Sequence, residues 1–182
     1  MKDDSPFLVS IHCMVHRLML CTSQAANAIP YLAKFREILN ALYCYFDKSA
    51  LWSQSLAEFQ KIFEHPELKI KEVFDIRWFS FYGALETLYR TWQPLVAYLE
   101  SQPNSDDKAR GFKKSLTEFS FVATLCMMMD VIPILTFMSL ALQKEHVELA
   151  SVQALVKSTI TQITALKSNN SKILVRDFAI TR

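Results

Sequence analysis

The chain has 182 residues, 51% hydrophobic and 21% charged, with 20 basic against 18 acidic side chains and a formal charge of +2. That length and composition suit one domain with a substantial core and exclude a disordered chain. The near-balance of charge weighs against a dedicated duplex-DNA binder. The presence of only two glycines, Gly83 and Gly111, weighs against all-β folds and phosphate-cradling loops.

In chain order, the run Phe-Leu-Val-Ser-Ile at 7–11 follows Pro6 and reads as a short strand. Residues 14–27 then turn helical, with Val15, Leu18, Met19 and Thr22 on one face. Pro30 interrupts, and 31–48 continues as a helix aligning Phe35, Ile38, Leu39, Leu42 and Phe46. Ser53 is the expected N-cap of a third helix running to about Glu64, carrying Leu56, Phe59, Ile62 and Phe63 and stopped by Pro66. Residues 68–76 alternate imperfectly and predict either a strand or an extended connector. Ser80 is expected to open a helix through Leu85, Leu88, Tyr89 and Trp92, with Pro94 kinking it before Leu99.

The polar stretch 101–107 reads as a loop, and Gly111 as the lead into a long apolar helix kinked at Pro133. Residues 147–167 predict a last amphipathic helix. The polar Ser-Asn-Asn-Ser that opens 168–182 is followed by Ile173, Leu174 and Val175, a strand only if it has a neighbour. An isolated strand cannot satisfy its own backbone groups, so 7–11 reads as the edge of a sheet encoded elsewhere. No internal repeat is visible.

Residues 119–142 carry a single charge, Asp130, over a length that could cross a bilayer. A carboxylate near the centre of a span is costly, and no basic cluster flanks the run, so a buried helix is the favoured reading. Cys13, Cys21, Cys44 and Cys126 lie in apolar stretches at spacings that match no disulfide framework, and predict reduced, buried thiols. With no secretory signal in the N-terminal residues, a reducing compartment is expected, nucleus or cytoplasm.

Three constellations could carry chemistry. Cys13 and His16 form a C-x-x-H pair, but no second pair recurs at zinc-ligand spacing, so no metal is expected. As a nucleophile and base they lack any orienting group or oxyanion hole. Arg77 and Trp78, just before Ser80, could meet a phosphate and stack on an unpaired base, or could pair with Asp75 or Glu86 and join the core. Lys108, Arg110, Lys113 and Lys114 form a basic cluster, read either as a solvated surface turn or as a contact for an anionic partner.

The run Ile11-His12-Cys13-Met14-Val15-His16-Arg17-Leu18 resembles the C-x-x-H-R-L element of hAT-superfamily transposases, and Ile76-Arg77-Trp78-Phe79-Ser80 resembles their R-W-x-S element. Ile29-Pro30-Tyr31-Leu32, the segment 68–75 and the run 124–135 are similar to vertebrate zinc-finger and SCAN-type proteins derived from such transposons. The likeness spans roughly residues 7–167. It implies a mainly α fold: a helical insertion domain over 1–167, with one or two short edge strands left from a truncated ribonuclease-H-like core, and a tail over 168–182. In that family two aspartates precede the C-x-x-H element and a glutamate follows the insertion, and together they hold the divalent metals of strand cleavage. This sequence begins just before the first element and stops before the expected glutamate. Asp3 and Asp4 lie too close to the strand to serve.

The expectation is therefore a catalytically inactive, transposase-derived helical domain with no cofactor and no small-molecule substrate. It would act through a protein partner or self-association, or persist as a vestigial fragment, with membrane association disfavoured. The alternative is residual nucleic-acid binding through Arg77, Trp78, Lys108, Arg110, Lys113 and Lys114.

Overall fold

A computed structural model of the chain describes residues 13–73, 78–103, 105–144 and 149–168. Among these the fold is helical: α1 (Met14–Asn27), α2 (Pro30–Asp47), α3 (Ala50–Ile62), α4 (Trp78–Arg90), α5 (Trp92–Ser101), α6 (Asp107–Leu116), α7 (Phe119–Ala141) and α8 (Leu149–Ser168). The mainly α expectation is met, and no strand occurs among the described residues. The proposed strands at 7–11 and 173–175 lie outside them.

Helix starts follow capping chemistry. Pro30 opens α2 as its first residue, where no backbone N–H is needed. The third helix is capped by Ser49 rather than Ser53: the Ser49 hydroxyl accepts from the Trp52 N–H at 3.3 Å. Ser53 sits one turn inside and donates to the Phe46 carbonyl at 2.9 Å, fastening α3 to the end of α2. Its end is a reciprocal cap. The His65 N–H bonds the Gln60 carbonyl at 2.8 Å and the Glu64 N–H bonds that of Lys61 at 3.0 Å, with Glu64 at φ 56°.

The expected single helix kinked at Pro94 is instead two helices broken at Thr91. Pro94 lies in the first turn of α5, and its missing N–H leaves the Arg90 carbonyl without a helical donor. His65 fills the gap, its Nδ1–H donating to that carbonyl at 2.6 Å. Thr91 is fully buried at the break and satisfies its hydroxyl on the Thr87 carbonyl at 2.8 Å.

Gly111 does not lead into the long helix but lies inside α6, and α7 starts at Phe119. A methyl group at Gly111 would meet nothing within 4 Å, and the position is exposed. Gly111→Ala should therefore stabilise the protein by about 0.5–1 kcal/mol, because alanine loses less backbone entropy in a helix. A rise in the urea midpoint at constant slope checks it; an unchanged or lower midpoint contradicts it.

Two aromatic groups organise the core. Phe121 of α7 packs at 4.7 Å on Phe35 of α2 and stacks at 6.2 Å on Trp92 of α5. Tyr45 of α2 stacks on Trp52 of α3 at 4.2 Å and meets Phe112 of α6 edge-on at 5.4 Å, while Tyr98 of α5 touches Phe46 and Phe59. Around them Leu42, Leu85, Leu95, Leu116, Leu125 and Ile132 are completely enclosed. Helix α7 packs on α4 and α8, α5 packs on α3 and α6, and α1 rests on α2. None of the residues of α1 is buried.

After α3, residues 65–73 run without turn or bend and form neither helix nor strand. In place of a neighbouring strand they have Gln60, which is only 1% exposed. The Gln60 amide donates to the Leu68 carbonyl at 2.9 Å and accepts from the Leu68 N–H at 3.2 Å. One side chain thus supplies both halves of a ladder pair and holds the segment against α3.

Candidate functional site

Of Cys13, His16, Arg77, Trp78 and Ser80, the described side chains are those of Cys13 and His16. Cys13 is the N-cap of α1 and makes no side-chain capping bond, and both it and His16 are exposed. Among the described residues no three His, Cys, Asp or Glu side chains gather closely enough to hold a metal ion. Trp78 and Ser80 fall in the first turn of α4, but their side chains, and all of Arg77, lie outside the described residues.

The expectation of buried thiols holds for Cys126 alone; Cys13, Cys21 and Cys44 are exposed. Cys13 caps α1, while Cys21 and Cys44 occupy the outward faces of α1 and α2, which an apolar neighbourhood in sequence does not reveal. Burial, and then the nearby Asp130 charge, pushes the Cys126 thiol up to about 11, leaving it protonated at neutral pH.

The basic cluster runs along the short helix α6, from Lys108 in its first turn to Lys114 in its last. Asp106 caps that helix, Asp107 lies in its first turn, and Lys113 and Lys114 lie in its last turn, where positive charge suits the helix dipole. Arg110 pairs with Asp107, and Lys113 with Glu100 at 2.6 Å. These carboxylates offset much of the charge an anionic ligand would use.

Asp106 is a centre that local sequence reading misses. Its Oδ1 accepts from the Ala109 N–H at 2.9 Å, and its Oδ2 accepts from the Tyr45 hydroxyl, also at 2.9 Å. The Ala109 bond, followed by that of Tyr45, holds the carboxyl below its usual range despite the opposing effect of burial. Burial and the Asp106 bond push the Tyr45 phenol up. Its arrangement is structural: it ties α6 to α2.

Because the folded carboxyl titrates below the unfolded value of about 3.9, its contribution is fully present above that pH and is lost as pH falls through the folded value. Asp106→Ala should cost about 1–3 kcal/mol at neutral pH, for a lost cap and an orphaned hydroxyl. Asp106→Asn should keep most of the cap yet flatten the acid limb of the stability–pH profile below about pH 4. An unchanged acid limb in Asp106→Asn would contradict this role.

An exposed apolar face lies on the second half of α7, in addition to the isolated exposed side chains Leu51 and Ile62 of α3. Pro133, Phe137 and Leu140 recur at i, i+4 and i+7, with Phe137 64% and Leu140 51% exposed. The helix is long and apolar enough to cross a membrane by length and composition. Its first half, however, is built into the core through Phe121, Leu125, Met128, Met129 and Ile132, which argues against a spanning role. After Pro133 only Met138 and Ser139 are buried, and the outer face is left apolar and uncovered.

No protein-family model and no solved structure matches the chain.

Proposed function

We propose that this chain is a catalytically inactive helical module, derived from an hAT-type transposase, that works by protein association, first of all with a second copy of itself. The motif series running from Cys13 to the 124–135 run supports the descent. In this reading the helices correspond to the insertion domain, any remaining edge strands belong to a reduced ribonuclease-H-like core, and the setting is the nucleus or cytoplasm. The single observation that carries the association is the uncovered face formed by Pro133, Phe137 and Leu140 on α7. Contiguous exposed apolar side chains on one helix face are the usual mark of a protein contact.

Sedimentation of the full chain over a wide concentration range tests it. The native chain should associate reversibly, and Phe137→Glu combined with Leu140→Glu should weaken association at least about tenfold, since two carboxylates would have to be desolvated. Both positions are exposed, so the variant keeps its core. A native chain that stays monomeric at the highest concentration, or a variant that associates equally well, overturns the proposal.

A further inference from the structure

The segment 68–71 that Gln60 holds against α3 offers a second contact of a different kind. Leu68 and Ile70 are half-buried, with Ile70 packed on the core, while Lys69 and Lys71 are exposed. In an extended chain the N–H and C=O of one residue point to the same edge, and successive residues to opposite edges. Gln60 engages both main-chain groups of Leu68 and therefore occupies the edge that Leu68 shares with Ile70. The opposite edge carries the main-chain groups of Lys69 and Lys71.

Among the described residues nothing hydrogen-bonds to those groups, and neither lysine has a carboxylate partner. The neighbouring Glu67 is engaged with Lys61 at 3.2 Å. Among the described residues this is a strand-like segment, held on one edge by the Gln60 side chain and unpaired on the other, the arrangement that recruits an added strand.

We propose that the Lys69–Lys71 edge binds an extended peptide segment of a partner protein, bearing acidic residues at alternate positions, by main-chain pairing. Two N–H and two C=O groups supply the pairing, and the two ammonium groups select carboxylates across the strand pair. The site is separate from the apolar face of α7 and stands whether or not the chain self-associates.

The test is a titration of the ¹⁵N-labelled full chain with the peptide acetyl-Glu-Val-Glu-Val-Glu-amide, read at the backbone amides of Lys69 and Lys71. The expected result is saturable shifts of both amides. Binding should be lost when every peptide amide is N-methylated, and weakened when the glutamates are replaced by lysines. Lys69→Pro removes one open N–H and should weaken binding at least about tenfold. Should that variant lose its helical circular dichroism, the N-methylated peptide on the native chain decides alone. No saturable shift, equal binding of the methylated peptide, or shifts confined to Phe137 and Leu140 each overturn the proposal.

Discussion

Replacing Phe121 with alanine should destabilise the protein by about 3–5 kcal/mol, the largest loss expected from any single side chain here. Phe121 is 0% exposed and is the only aromatic side chain α7 sends into the core among the described residues. It packs against both Phe35 and Trp92, so its removal opens a void shared by α2, α5 and α7. Rings on three separate helices cannot close together without moving backbone, so little of the void would be recovered. Phe121→Leu, which keeps most of the volume, should cost much less. Urea unfolding compares the two. Similar losses for both, or a loss below about 1 kcal/mol for alanine, would mean that the three helices do not meet at this side chain.

The second large effect is expected at a polar residue. Gln60→Ala should cost about 2–4 kcal/mol, because it orphans the N–H and C=O of Leu68 and leaves a gap beside a side chain that is 1% exposed. Gln60→Glu retains volume and the acceptor but loses the donor, setting a carboxylate oxygen against the Leu68 carbonyl. It should also destabilise, and its deficit should shrink as the pH falls and the carboxyl regains a proton to donate. Amide exchange gives a local reading: in Gln60→Ala the Leu68 amide should lose its protection while α7 keeps its own. An unaltered Leu68 amide would show that the segment is held by Ile70 and Val73 packing alone.

These two sites show where sequence reasoning succeeds and where it stops. Apolar periodicity locates α1 at its observed limits and α2 to within a residue at each end, because the apolar stripes and Pro30 leave little choice. The start of α3 is missed because Ser49 and Ser53 are equally good caps by type. Only the position of the Phe46 carbonyl, which Ser53 bonds, separates them. Gly111 reads as a boundary residue, yet Asp106 and the Lys113–Leu116 turn carry the helix through it.

Gln60 leaves a trace in sequence as a polar residue on the stripe that holds Leu56, Phe59 and Phe63. The trace does not tell that its partner is backbone eight residues on. The Tyr45–Asp106 bond spans 61 positions and has no local signature at all. The thiols are misjudged for a related reason: hydrophobic neighbours in sequence do not say which side of a helix faces the core. On the candidate association surface, the long apolar run of α7 is plain in the sequence. That only its first half is enclosed depends on which helices pack against it, and so emerges with the fold.

Association of a folded helical module through the outer face of α7 would register in hydrogen–deuterium exchange of the full chain at low and high protein concentration. Exchange should be slower at high concentration in peptides covering 133–141, with α3 and α5 unchanged. Exchange that is independent of concentration across α7, or protection that rises evenly over the whole chain, would contradict it.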